Sequence, residues 1–266
     1  MNSIGQQLQK IKAANRLGLM THIVVGYPTM GESRKLVLAM VEAGADFIEL
    51  QIPFSDPMAD GPTLMRANQV ALEQGATVAK AMELMADLAP AVGIPLLFMT
   101  YFNIVHHYGV AKFCQDAFAA GASGLIVPDM PLDEEPSEHF ISAAEQAGLT
   151  VIRLLSPASN ERRIKLNADL AKDFIYFVSR KGITGAQTEL DPELQNHLKT
   201  VKSFTSLPLA VGFGISSPAH IKSLKGLAEI AVVGSAAVNV YDQAGADEKI
   251  KAVKDFVKTL SQALAE

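Results

Sequence analysis

The chain has 266 residues, 49% of them hydrophobic and 19% charged, enough for one large core in a barrel-sized α/β unit or for two small domains. A formal net charge of −5 with no basic stripe argues against a nucleic-acid partner, and no run approaches the ~20 apolar residues that span a bilayer. A lone cysteine, Cys114, excludes a disulfide framework and reads as a buried structural thiol. The opening stretch, MNSIGQQLQKIKAANR, lacks a signal peptide's apolar segment; Ile4, Leu8 and Ile11 instead mark one face of a short helix. A soluble, cytoplasmic protein is expected.

After that extra N-terminal helix, a unit repeats. AGADFIEL (43–50), AGASGLIV (120–127) and AGLTVIRL (147–154) each read as a helix end, a closing glycine and a short β-rich run. The preceding helices carry apolar stripes at helical spacing, such as Leu36, Val37, Met40 and Val41, or Val78, Met82 and Met85. Strands are predicted at 20–25, 46–51, 95–101, 123–127, 150–154, 174–178, 208–213 and 229–234. A helix capped by Ser217 with Pro218 at its first position follows the seventh strand. A last helical pattern at 245–264 buries Ile250, Val253, Phe256, Val257 and Leu260. Eight alternations without a linker predict one (β/α)8 TIM barrel domain over 1–266. A doubly wound open sheet is the alternative, weakened because no G-x-G-x-x-G follows the first strand.

Barrel enzymes build their sites from the loops after the strands. The second and third strands start about 50 residues apart, and the excess holds ELQIPFSDPMADGPT (49–63) plus a helix. Strand parity turns Ile48, Leu50 and Ile52 toward the helices and Phe47, Glu49 and Gln51 into the barrel. An inward carboxylate near the mouth is costly to desolvate unless it pairs with a structural cation or does acid–base work. Pro53, Pro57 and Pro62 stiffen the following loop. Asp56 suits a local turn or a surface contact, whereas Asp60, at the end of the rigid loop, is a site candidate.

VGFGISSP (211–218) follows strand seven and VVGSAAV (232–238) closes strand eight. Their glycines admit backbone N–H groups to an anion, and Ser235 opens a helix whose N-terminus favours phosphate. With Gly185 from the loop after strand six, the pattern predicts a site for one phosphate monoester, since the Lys or Arg cluster that two phosphates want is absent. The bland reading is a pair of tight strand–helix turns. The six histidines are scattered, so no metal site is expected. His22, in strand one, could face the site, but a lone histidine is more often a satisfied core group. No mid-strand lysine offers a Schiff base; Lys181 lies in a polar loop. Metal-free acid–base chemistry on a phosphorylated carbon skeleton remains.

The segments ELQIPFSDPMADGPT, GLIVPDMPLDEE, FVSRKGITGAQTEL, VGFGISSP and VVGSAAV, in this order, resemble the tryptophan synthase α-subunit family over essentially the whole chain. The resemblance implies a lyase that splits indole-3-glycerol phosphate into indole and glyceraldehyde 3-phosphate. It implies no cofactor in this chain and a pyridoxal-phosphate β subunit as partner in an α2β2 heterotetramer, which receives the indole. Glu49 matches the acid–base carboxylate and Asp60 the acceptor of the indole N–H. Tyr176 matches a tyrosine beside Glu49, and Tyr101 one that lines the indole pocket. Phe213, Gly214, Gly185, Gly234 and Ser235 match the phosphate cradle, and Thr184 the residue of a closing loop that meets Asp60. Three positions depart from the family pattern: Gln51 replaces a usual glycine, Met65 a glutamine and Val24 a threonine. Gln51 is expected to crowd the pocket or to hydrogen-bond Glu49. Two alternatives stand beside this reading: a stand-alone indole-3-glycerol phosphate lyase, and a catalytically weak activator of the β subunit.

Overall fold

The computed structural model describes residues 2–178, 192–212 and 214–265. Its strands are β1 (Gly18–Val24), β2 (Phe47–Gln51), β3 (Leu96–Met99) and β4 (Gly124–Ile126), followed by β5 (Thr150–Leu155), β6 (Ile175–Val178), β7 (Leu209–Gly212) and β8 (Ile230–Val233). They close in sequence order into a parallel barrel, β8 pairing with β1. Helices separate successive strands, so the fold is a TIM barrel, and every predicted strand is present with its ends shifted by a few residues.

The local differences have local causes. The third strand stops at Met99 because Tyr101 caps the helix Phe102–Tyr108. Between β2 and β3 stand two helices, as the excess length there predicts. Pro62, at the first turn, starts Pro62–Glu73, and Thr77, which accepts the Lys80 N–H at 3.2 Å, starts Val78–Leu88. The final pattern forms the helix Lys249–Gln262. Among the described residues no helix is long and apolar enough to cross a membrane.

Parity splits the apolar residues into two cores. Ile48, Leu50, Phe98 and Val211 join the layer between strands and helices, where Cys114 also lies. Burial, with the nearby Glu135 charge, pushes the Cys114 thiol up to about 12, so it is inert packing. Inside the barrel, Met20, Phe47, Leu97, Phe174 and Ile230 pack together. Ile4 and Ile11 of the N-terminal helix Ser3–Ala13 join this interior cluster and close the bottom. With its lower half filled, the barrel leaves space only at the C-terminal ends of the strands.

Candidate active site

That space is a cavity of about 1150 Å³. Its wall includes His22, Glu49, Asp60, Tyr176, Gly212, Gly214, Gly234 and Ser235. The register of β1 on β2 sets His22 beside Glu49, and both point inward. Glu49 is buried, at 3% exposure. Its Oε2 lies 3.2 Å from His22 Nδ1, within charge contact but off the line of a hydrogen bond, and that oxygen has no hydrogen-bond partner among the described residues. A buried carboxylate oxygen left open is costly in a purely structural group, which makes this atom a candidate for chemistry.

The loop after β2 returns Asp60 to the same wall. Gln51 Nε2 donates to Asp60 Oδ2 at 2.6 Å, and Asn68 Nδ2 reaches the same oxygen at 3.2 Å. Asn68, fully buried on the helix Pro62–Glu73, is itself fixed by the backbone: it accepts the Phe54 N–H at 3.0 Å and donates to the Leu64 carbonyl at 2.8 Å. Burial raises the Asp60 pKa above the ordinary carboxylate range. Gln51, the His22 charge and Tyr101 pull it back, and Glu49 adds to the rise. Asp56, in contrast, is exposed, and its carboxylate takes a hydrogen bond from the neighbouring Ser55 hydroxyl.

Tyr101 stands behind this loop. It is buried, stacks on Phe54 with ring centroids 5.3 Å apart, and its hydroxyl accepts the Ala59 N–H at 3.1 Å. Tyr176 faces the cavity from β6, and burial together with the Glu49 and Asp60 charges raises its pKa well above the usual value. It is therefore a neutral phenol at any working pH. Its ring sits where a side chain on Gly212 would be: a Cβ there would come within 3.0 Å of Tyr176 Oη. Across the mouth, Gly214 adopts φ +86°, and Gly234 caps the helix Ser235–Gln243 without a side-chain cap bond. The Ala237 N–H bonds the Gly234 carbonyl at 3.0 Å, which leaves the first two N–H groups of that helix, those of Ser235 and Ala236, to face an anion.

Gln51 corrects an expectation. It is fully buried, so it does not crowd the cavity, and its amide bonds His22, Asp60 and Asn68 rather than Glu49. Val24 is packed into the strand–helix layer and Met65 is half exposed, so neither departure touches the cavity wall. His22 is buried and partnered, as a core histidine would be, but it is also part of the wall. Asn68 and Gly212 were not singled out in the sequence. An asparagine on the apolar face of Pro62–Glu73, between Ala67 and Ala71, is the signal that was there to find. Thr184, Gly185 and Phe213 lie outside the described residues, as does the expected closing loop.

Fold and cavity place the chain among the barrel enzymes that work at the C-terminal ends of their strands. Residues 8–265 match the family model for the tryptophan synthase alpha chain. The chain is 45% identical over 242 residues to the tryptophan synthase alpha chain of Syntrophotalea carbinolica, covering 91% of this chain and 93% of the relative. It is 44% identical over 253 residues to that of Desulfotalea psychrophila, covering 95% and 97%. Among solved structures, tryptophan synthase subunit alpha from Legionella pneumophila superposes with a TM-score of 0.89 at 31% identity, covering 99% of this chain and 98% of that one. A chain of Mycobacterium tuberculosis tryptophan synthase gives 0.90 at 31% identity, covering 100% and 99%. The chain belongs to the tryptophan synthase alpha chain family, lyases that cleave indole-3-glycerol phosphate.

Proposed function

We propose that the cavity performs this cleavage as a retro-aldol reaction, with Glu49 moving protons and Asp60 accepting the indole N–H. One observation carries the reading: a buried carboxylate with an open oxygen shares its cavity with a helix N-terminus and two glycines on the opposite wall. The substrate has the same polarity, a flat apolar ring at one end and a phosphate at the other. Met99, Ile126 and Leu154 offer the ring an apolar wall. Gly214, Gly234 and Ser235, together with Phe213, Thr184 and Gly185 of the sequence pattern, hold the phosphate end.

Protonation at the ring carbon that bears the side chain turns the indole into a leaving group. Loss of the adjacent hydroxyl proton then breaks the carbon–carbon bond. Glu49 serves both transfers, and neutral Tyr176 packs beside it. The ring becomes cationic between the two steps, so its N–H bond to Asp60 strengthens in the transition state, which is where added binding raises turnover. The amides of Gln51 and Asn68 hold Asp60 in place before substrate arrives.

The indole passes to a β subunit that carries the pyridoxal phosphate, in a cytoplasmic α2β2 complex. Exposed Met58, on the loop after β2, and Met65, on the next helix, give this rim an apolar surface suited to such a partner. The test is indole release by the purified chain with and without a β subunit. Weak release that rises severalfold on adding the partner is expected. Full release by the chain alone identifies a stand-alone lyase, and no release under either condition leaves only an activator.

A further inference from the structure

We propose that His22 is the proton-holding partner of Glu49: the two side chains share one proton, and Gln51 orients the imidazole to keep it there. The proposal rests on the reading of Glu49 as the acid–base group and adds where its proton comes from.

Hydrogen-bond polarity, set by two backbone groups, fixes the orientation of each amide in turn. Phe54 N–H can only donate and the Leu64 carbonyl can only accept, so Asn68 presents Oδ1 to the first and Nδ2 to the second. Nδ2 therefore also faces Asp60 Oδ2 as a donor. The distal end of Gln51 lies 2.6 Å from that same oxygen and 3.4 Å from Asn68 Oδ1. Both neighbours are acceptors, so the Gln51 NH₂ group must point there. Its Oε1 is left toward His22 Nε2, at 2.8 Å. A carbonyl oxygen cannot donate, so Nε2 carries a hydrogen.

The remaining ring nitrogen, Nδ1, faces Glu49 Oε2 at 3.2 Å inside a fully desolvated wall. A bare Nδ1 against an ionised carboxylate would set two lone pairs against each other there. One proton resolves the conflict, whether it sits on the imidazole or on the carboxyl, and the pair is neutral overall in both cases. The contact itself is off-line, and a small rotation of either side chain would align it. Among the described residues, the other ionisable groups facing this cavity are Asp60 on the loop after β2, Tyr176 on β6, and Arg163, Glu193 and His197 across the mouth. Burial lowers the His22 pKa, but the charge and close contact of Glu49, the charge of Asp60 and the bond to Gln51 outweigh it, for a net rise.

A shared proton supplies both halves of the reaction. Glu49 delivers it to the ring carbon, leaving the pair with one negative charge. The substrate hydroxyl then gives up its proton to Glu49 as the carbon–carbon bond electrons return to the ring. One proton enters the substrate and one leaves it, so the pair ends each turnover as it began. A lone ionised carboxylate would begin the cycle with no proton to give.

The test uses the full chain with ¹⁵N-labelled histidine and ¹³C-carboxyl-labelled glutamate, followed by NMR from pH 6 to 9. At pH 7.5 one proton is expected on the His22–Glu49 pair, and it should be lost above the ordinary histidine value. In Gln51→Gly the midpoint should fall toward the ordinary value. In His22→Phe the alkaline limb of kcat/KM should move down, because the imidazole that shares the proton is gone. A bare Nδ1 beside an ionised Glu49 at pH 7.5, or an unchanged pH profile in His22→Phe, overturns the proposal. The spectra do not depend on turnover. A wrong assignment of Glu49, seen as near-normal activity in Glu49→Gln, is therefore told apart from a pair that holds no proton.

Discussion

Asp46 and Glu49 stand three residues apart on one segment of chain, each 3% exposed, and they illustrate opposite uses of a buried carboxylate. Asp46 lies at the bottom of the barrel, where Arg16 grips both its oxygens at 2.7 Å, Gln7 donates at 2.8 Å and the Leu19 N–H at 2.9 Å. Every lone pair in use makes it an anchor, tying the N-terminal helix to β1 and β2. Glu49, at the mouth, keeps Oε2 free of hydrogen bonds and has a titratable imidazole as its nearest partner. A saturated carboxylate holds structure, and an unsaturated one beside a proton carrier is poised for chemistry.

The largest expected effect breaks the upper member of this pair. Glu49→Gln keeps the shape and removes the proton function, so indole formation should fall by ~10²–10⁴-fold while the melting temperature holds or rises. Near-normal turnover in a steady-state indole assay would sink the assignment. Asp46→Ala is the converse. It strands the Arg16 charge and the Gln7 amide, and a loss of about 3 kcal/mol is expected in urea unfolding, at the low end for a buried pair because Arg16 is partly exposed. Activity per folded molecule should change little; a collapse of kcat at unchanged stability would show that the bottom network reaches the site.

Asp60 sharpens the comparison with a pH dependence. Burial holds its pKa above the ordinary range, so the folded state favours the protonated form. The resulting penalty is absent below the unfolded value and complete once pH has risen through the higher folded value. Asp60→Asn should therefore raise the melting temperature at pH 7 and make no difference near pH 3, while indole formation drops by about 10²-fold. A melting temperature lowered equally at both pH values would mean that Asp60 is structural.

On the opposite wall the effects are smaller and steric. A Cβ at Gly234 would have its nearest neighbours, in His22 and Leu64, at 3.7 Å or more, so the fold tolerates a side chain there. Gly234→Val should fold normally yet weaken glycerol phosphate binding by about tenfold, because the branch occupies the anion's approach. Unchanged affinity by calorimetric titration would place the phosphate elsewhere.

The repeat of helix, glycine and strand made the barrel legible, because period-two and period-3.6 patterns are local consequences of backbone geometry. The same parity put Glu49 and Gln51 on the inner face before any contact was known. The loop after β2 was legible too, since three prolines and a terminal aspartate restrict it whatever surrounds it. The partners were not legible. His22 could be core or site from the sequence, and only the β1–β2 register set it against Glu49, twenty-seven residues away in sequence.

Asn68 carried no motif, yet its buried amide fixes the polarity of the whole chain of hydrogen bonds from Asp60 to His22. Gln51 looked like an intruder beside Glu49 and proved to be a link between His22 and Asp60. Sequence by itself determined the elements, the inward faces and the residue types at the mouth, because those follow from local sterics and burial. Only the closed barrel decided which polar groups meet. Hydrogen-bond direction and strand register are properties of pairs, and a single strand does not contain its partner.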